Sequence, residues 1–234
     1  MTRLLRLNEL YPSTQGEGPR TGERTLFVRF SGCNLRCPGW PCDTPHAIFP
    51  DQWKDDPVYT GEGLGLLVVN TMLDQNIHNL CITGGEPFMQ PPTELEAFVR
   101  YVNRLTHTTI DVFTNGTFLF PAWCAASNVA VVMDWKLTGS GDSKKNQDER
   151  LMNATHRLGH KDNIKFVVKD IHDLDEARYA YEMLHTFQGT FWVGRVWGEL
   201  SDADLVEYMT EWRLPWRLNV QTHKLIWPGV ERGI

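Results

Sequence analysis

Apolar residues along this chain fall into two alternating rhythms. Short runs with strand character are separated by stretches in which apolar positions recur every three or four residues. Residues 4–10 (LLRLNEL) predict a first strand, after which Tyr11–Gly18 (YPSTQGEG) breaks the rhythm. The second predicted strand, Thr25 to Phe30, sets Arg29 between Val28 and Phe30, so its guanidinium points opposite to its neighbours. Residues 47–60 predict an irregular crossing. A helix follows from Gly61 to Leu73, with Leu64, Leu67, Val68 and Met72 on one face. The strand Asn79–Ile82 ends in Thr83-Gly84-Gly85-Glu86-Pro87. A helix after Pro92 spaces Leu95, Phe98, Val99 and Val102 along one stripe, and the strand Thr109–Phe113 ends in Thr114-Asn115-Gly116-Thr117.

The alternation continues to the far end. Ala130–Met133 predicts a strand ending in Asp134-Trp135-Lys136, and a polar loop rich in Gly, Ser and Lys leads to another strand at Ile164–Val168. Asp173–Thr186 predicts a helix and Phe191–Val196 a strand. Ser201-Asp202-Ala203-Asp204 reads as a capping box that opens a further helix. Trp216–Val220 is the last predicted strand, followed by Gln221-Thr222-His223-Lys224 and a Pro/Gly tail. Strands alternating with helices indicate an α/β fold with a largely parallel sheet. The polar motifs stand at the C-terminal ends of the strands, where such sheets carry their sites. Too few full helices lie between the strands for eight β/α units, so any barrel is expected to be incomplete.

Length adds that the 234 residues fit one domain with a sizeable core. A net charge of −6 argues against a general nucleic-acid binder, which needs a basic face. No apolar run approaches the ~20 residues of a membrane span, and the N-terminal residues lack the apolar core of a signal peptide. Five cysteines, three of them clustered, fit a reducing cytoplasm better than a disulfide scaffold.

The cysteines change the picture most. Cys33, Cys37 and Cys42 fall within Phe30–Thr44 (FSGCNLRCPGWPCDT), while Cys81 and Cys124 stand alone in apolar surroundings as packed core. One short loop can turn several thiolates onto one soft metal centre. Three readings stand: a four-iron cubane held by three cysteines with one iron open to a small molecule, a zinc site completed by a distant histidine such as His46, and loop cysteines with no metal.

The C-x3-C motif with a third cysteine close behind, following a strand that ends Phe27-Val28-Arg29-Phe30, resembles the radical S-adenosylmethionine (SAM) superfamily. Most of that superfamily has two residues between the second and third cysteines. Here there are four (Pro38, Gly39, Trp40, Pro41), and Trp40 is the candidate for the family's aromatic contact to adenine. Thr83-Gly84-Gly85-Glu86-Pro87 resembles the motif with which the superfamily holds the SAM amino group, its glycines letting carbonyls approach an ammonium. Gln15-Gly16-Glu17-Gly18, Phe27-Val28-Arg29, Cys42-Asp43-Thr44, Thr114-Asn115-Gly116-Thr117, Lys165-Phe166-Val167 and Gln221-Thr222-His223-Lys224, in that order, resemble the 7-carboxy-7-deazaguanine synthases.

That resemblance implies a partial (incomplete) parallel β/α barrel of the radical SAM type over residues 1–234. Residues 1–24 would form the N-terminal strand and substrate loop, 25–225 the barrel and 226–234 a C-terminal tail. It implies a lyase of queuosine-type 7-deazapurine biosynthesis that contracts 6-carboxy-5,6,7,8-tetrahydropterin to 7-carboxy-7-deazaguanine and releases ammonia, with SAM regenerated. Cys33, Cys37 and Cys42 would hold a [4Fe-4S] cluster and Thr44 a magnesium ion. Gly85 and Glu86 would meet the SAM amino group, with Asn115, Asp134 and Lys136 also facing SAM. Gln15, Glu17, Gln221 and His223 would face the pterin, and Arg29 would grip its carboxylate through a two-pronged pair. The implied partners are an electron donor such as a flavodoxin or ferredoxin and a second copy of the chain, with no direct nucleic acid and no membrane. Two other functions share parts of the motif: a radical SAM activase that makes a glycyl radical on a partner protein, and a non-catalytic zinc-binding domain.

Overall fold

A computed structural model describes residues 4–40, 42–145, 147–230 and 232–234. In chain order the strands are β1 (Leu5–Thr14), β2 (Arg24–Phe30), β3 (Val58–Tyr59), β4 (Asn79–Gly84), β5 (Thr109–Thr114), β6 (Val129–Trp135), β7 (Asn163–Val168), β8 (Thr190–Arg195) and β9 (Arg217–Leu218). The helices are α1 (Pro45–Ile48), α2 (Pro50–Trp53), α3 (Gly61–Gln75), α4 (Pro92–Leu105), α5 (Gln147–His156), α6 (Ile171–Met183), α7 (Asp202–Glu211) and α8 (Thr222–Ile226). None is long and apolar enough to cross a membrane.

The strands form one sheet in the order β3-β1-β2-β4-β5-β6-β7-β8-β9. From β2 to β9 every neighbouring pair is parallel, while β1 runs antiparallel to β2, and β3 antiparallel to β1. Side chains of β1 and of β8 line the same cavity, so the sheet curls around it as an incomplete β/α barrel with edges at β3 and β9.

The period of two within each strand divides core from cavity. Leu26, Val28 and Phe30 of β2, Leu80 and Ile82 of β4, Ile110 and Val112 of β5, and Ile164 and Phe166 of β7 join the main hydrophobic core. Against them pack Leu64, Val68 and Met72 of α3 and Leu95, Phe98, Val99 and Val102 of α4, the two helical stripes expected. The alternate residues, Phe27 and Arg29, Cys81 and Thr83, Phe113, and Lys165 and Val167, line the cavity instead.

Several boundaries differ from expectation. β1 runs on to Thr14 through Pro12, because β3 pairs only with Leu5 and Arg6 and leaves that side of β1 free where proline stands. The crossing at 47–60 contains α2, β3 and the end of α1. The last strand shrinks to Arg217–Leu218, and α8 takes up most of the Gln221–Lys224 block. Helix α5 lies in a stretch expected to be loop. By contrast, the Ser201 hydroxyl and Asp204 carboxylate cap each other's main chain as the capping box requires.

Candidate functional site

The cysteine loop leaves β2 at Phe30 and returns to helical structure at α1. Cys33 Sγ accepts from Leu35 N at 3.4 Å, and Cys42 Sγ from Thr44 N at 3.5 Å. The Thr44 hydroxyl lies 3.7 Å from the Cys42 sulfur. Cys37 adopts a left-handed backbone with φ of 42°, held by Asp142, whose carboxylate accepts from Arg36 N at 2.6 Å and Cys37 N at 2.8 Å. All three cysteines are free, partly exposed, and line one cavity of about 740 Å³. Burial raises the Cys33 thiol to about 11 and pushes the Cys37 thiol up as well. A soft cation between them would reverse that, since the thiolate is the ligating form.

The donor set fits an iron–sulfur cluster and not a closed zinc site. Among the described residues no three His, Cys, Asp or Glu side chains gather closely enough to hold a single ion. A cubane takes its thiolates at separate irons and needs no such convergence. His46, the histidine offered as an example for the zinc reading, is buried against Glu9, with Nε2 3.2 Å from the carboxylate, and does not line the cavity.

The turn after β4 is laced to the start of the cysteine loop. Gly85 N donates to Phe30 O at 3.0 Å and Glu86 N to Gly32 O at 2.8 Å. Gly84, at φ of 150°, lies so close to β2 that a Cβ would meet Phe30 O at 2.3 Å. Gly84 and Gly85 therefore present main chain to the cavity, which suits an ammonium-bearing ligand.

Glu86 departs from its expected role. It is fully buried and does not line the cavity. Oε1 accepts from Phe88 N (3.0 Å) and Thr114 Oγ1 (2.8 Å), and Oε2 from Asn115 N (2.7 Å). Burial outweighs these bonds and raises its carboxyl to about 7. Glu86 ties the turn after β4 to the end of β5 and touches no ligand space.

Asn115, Asp134 and Lys136 do face the cavity. Asn115 Oδ1 is spent on Thr117, accepting from its N–H at 3.0 Å and its hydroxyl at 2.6 Å. Asp134 Oδ2 accepts from Lys136 Nζ at 2.8 Å, whereas its buried Oδ1 has no protein partner. Such an orphaned acceptor in a cavity wall calls for a donor from a ligand. Lys136 Nζ lies 5.8 Å from the centre of the Trp40 ring, which also lines the cavity.

The remaining expected residues meet where the N-terminal and C-terminal segments join. Thr222 N donates to Gly16 O at 3.1 Å, and Gly18 N donates to Asn219 Oδ1 at 2.8 Å. Gly16 packs so tightly on the His223 ring that a Cβ would stand 2.4 Å from Nδ1. Glu17 accepts from Lys165 Nζ at 2.7 Å and from Gln221 Nε2 at 2.8 Å. Burial alone would raise the Glu17 carboxyl, but Lys165 and Gln221 hold it at about 2. Burial pulls the neighbouring His223 imidazole below its ordinary value. Gln221 Oε1 is buried without a partner, and Gln15 Nε2 finds no oxygen or nitrogen acceptor, lying instead against the Cys81 thiol.

Arg29 reaches the cavity, but part of its fork is already engaged. Its Nε donates to Glu9 Oε2 at 2.8 Å and its Nη2 to the Tyr11 hydroxyl at 2.9 Å. Glu9 also meets His46 and, through its other oxygen, Arg232 at 3.3 Å. Burial opposes ionisation of Glu9, yet His46 and Arg29 hold it at about 2. Glu9 and Tyr11, partners of Arg29, and Lys165, partner of Glu17, are residues to which the sequence reading gave no role. The strand period could have placed Lys165, since it alternates with the apolar Ile164 and Phe166. Glu9 sits beside a register shift in β1 between Leu7 and Glu9, where parity fails.

Residues 14–157 match the family described as a 4Fe-4S single cluster domain. A 7-carboxy-7-deazaguanine synthase of Leptospira interrogans is 33% identical, covering 97% of this chain and 97% of that protein. The enzyme of the same name from Clostridium acetobutylicum is 29% identical, again over 97% of each chain. Among solved structures, QueE from Escherichia coli superposes with a TM-score of 0.67 at 22% identity, covering 93% of this chain and 94% of that one. Streptococcus suis SuiB, solved with S-adenosylmethionine, superposes with a TM-score of 0.55 at 13% identity, over 82% of this chain and 48% of its own.

Proposed function

We infer the reaction from one premise: the chain belongs to the 7-carboxy-7-deazaguanine synthase family, within the 4Fe-4S single cluster domains. It is a radical SAM lyase that converts 6-carboxy-5,6,7,8-tetrahydropterin to 7-carboxy-7-deazaguanine with loss of ammonia, a step of queuosine biosynthesis. The observation that carries the reading is one cavity lined both by Cys33, Cys37 and Cys42 and by the charged pair Glu17–Lys165. A glycyl-radical activase shares the cysteines and glycines but has no use for that pair in its cavity.

Cys33, Cys37 and Cys42 are the residues that would hold the [4Fe-4S] cluster. With SAM bound, that cluster supplies the one-electron chemistry that starts the reaction. Gly85 offers main-chain oxygen to the SAM amino group, and the unpartnered Asp134 Oδ1 offers an acceptor to one of its hydroxyls or N–H groups. Lys136 engages Asp134 Oδ2 and leaves Oδ1 to the ligand, while its own ammonium stays beside Trp40.

On the substrate side, the Glu17 carboxylate accepts hydrogen bonds from the ring's amino and N–H groups. Gln221 Oε1, an acceptor without a protein partner, and Gln15 Nε2, which meets only the Cys81 thiol, complete the recognition of an amino-pyrimidinone edge. His223 packs against Gly16 and fixes the loop that carries Glu17. The free Nη1 of Arg29 points the charge of the guanidinium toward the substrate carboxylate. Thr44 is the residue that would offer a neutral oxygen to a magnesium ion, with the substrate's oxygens as its further donors. An external reductant feeds the cluster, and the reaction takes place in the reducing cytoplasm.

Anaerobic reconstitution with iron and sulfide, followed by incubation with SAM and the carboxylated pterin, tests the assignment by mass. Formation of 7-carboxy-7-deazaguanine without net loss of SAM is the expected result. Reductive cleavage of SAM with the pterin untouched would move the chain to another radical SAM activity.

A further inference from the structure

Within the long gap between Cys37 and Cys42, Gly39 rests on a ledge made by Gly139 and Ser140, after β6. Gly39 N donates to Ser140 O at 3.1 Å, and Lys169 Nζ donates to the Gly39 carbonyl at 3.3 Å. A Cβ at Gly39 would stand 1.7 Å from Gly139 O, so gap and ledge meet main chain to main chain. The ledge is pinned from behind. Asp173 Oδ1 accepts from Gly139 N at 2.8 Å, and the buried Arg150 of α5 donates to Ser143 O at 2.6 Å and to Asn115 O at 3.1 Å.

Ahead of the gap stands Cys37, one of three non-glycine residues with positive φ among the described residues. Cys37 has φ of 42°, a region that a side-chain-bearing residue seldom enters without support. A glycine would relieve that conformation but would lose the sulfur. The support comes from Asp142 on the ledge, whose Oδ2 accepts from both Arg36 N and Cys37 N. One carboxylate oxygen therefore fixes two consecutive peptide groups at the middle cysteine.

We propose that Asp142 is a positioning residue for Cys37, holding the left-handed turn that presents the middle sulfur to the cavity, while the Gly139–Ser140 ledge seats Gly39 in the gap that follows. The inference rests on the reading of the three cysteines as cluster ligands.

The test uses reconstituted full-length protein and reads iron content, the rate of iron loss to a chelator, and the electron paramagnetic resonance spectrum of the reduced cluster with and without SAM. Outer partners of metal ligands typically alter metal retention by about ten- to a hundredfold. Asp142→Ala should therefore lose iron about tenfold faster than the parent and shift the spectrum, while Asp142→Asn, which keeps an acceptor oxygen, stays within about threefold. Gly39→Ala should also speed iron loss by lifting the gap from the ledge. It decides the matter should Asp142→Ala fail to melt cooperatively before reconstitution. Parent-like iron retention and spectra in Asp142→Ala, or in Gly39→Ala where that variant decides, would overturn the proposal. Full iron in Cys37→Ala would instead sink the ligand reading on which it rests.

Discussion

Replacing Lys165 by Met probes the buried pair that makes the cavity suited to a heterocycle. Lys165 Nζ and Glu17 Oε2 are 2.7 Å apart, and both side chains are more than four-fifths shielded from solvent. The fall of the Glu17 carboxyl from its ordinary 4.5 to about 2 corresponds to about 3 kcal/mol in favour of the ionised form. Because the folded value lies below the unfolded one, that stability is fully present above about pH 4.5 and is lost as pH falls through about 2. Deleting one partner of a buried pair costs roughly 3–5 kcal/mol unless the other protonates. In Lys165→Met burial is the dominant influence left on Glu17, and its carboxyl rises toward neutrality. A protonated Glu17 presents a donor where the ring needs acceptors. Substrate affinity should therefore fall with decreasing pH, about tenfold per pH unit below the new value, where the parent stays flat. Other groups facing the pair are Gln221 and His223 beside Glu17, and Asp134 and Lys136 beside Lys165. His223, which burial holds below its ordinary value, is present in both proteins and drops out of the ratio to the parent. The assay is anaerobic equilibrium binding of the carboxylated pterin at pH 6, 7 and 8, at matched iron content. Adding Glu17→Gln should flatten the profile again. If Lys165→Met shows the parent's ratio between pH 6 and pH 8, the Glu17 carboxylate does not read the substrate.

Replacing Cys33, Cys37 or Cys42 by Ala should abolish the visible chromophore and most of the iron, while Cys124→Ala, in the core, and Cys81→Ala, buried in the cavity wall away from the cysteine loop, retain it on iron quantification. Magnesium should accelerate turnover, and Thr44→Ala should keep its iron yet weaken that dependence; equal rates in chelated and magnesium-supplied parent would remove the metal from the reaction. Arg29→Ala leaves Glu9 to His46 and Arg232 and should bind the substrate ~2–4 kcal/mol more weakly with SAM affinity unchanged. Parent-like affinity there would place the carboxylate anchor elsewhere. Glu86, raised from 4.5 to about 7, binds its proton more tightly folded than unfolded, so stability should fall by up to about 3 kcal/mol as pH rises through that window. The difference in melting temperature between parent and Glu86→Gln, followed from pH 5 to 8, reads this slope; a constant difference would show that Glu86 does not titrate there.

What could be read from sequence follows from local rules. The apolar stripes of α3 and α4, the capping box at Ser201–Asp204 and the alternation of strands with helices are written within short windows. So is the side of β2 on which Arg29 stands, because strand parity has a fixed period. Helix α5 escaped for an opposite reason. Its buried face is Arg150, Asn153 and Ala154, so no apolar stripe announces it. Arg150 and Asn153 are buried because they satisfy the main chain around Asn115, Gly116, Phe118 and Ser143, partners that no window on α5 contains.

The site divides along the same line. By itself the sequence determined the chemistry at hand: three thiols in one short loop, glycines after β4, and the polar blocks at strand ends. Only the tertiary structure decided which polar groups face the cavity and which are spent elsewhere. Glu86 is turned inward by three donors, Phe88 N, Thr114 Oγ1 and Asn115 N. Half the Arg29 fork is taken by Glu9 and Tyr11. Glu17 is ionised by Lys165, 148 positions away, and bonded by Gln221 across 204. Residue type fixes what a side chain can donate or accept. What it meets, and so its charge in a cavity shielded from water, is set by strands and loops that come together only when the sheet curls.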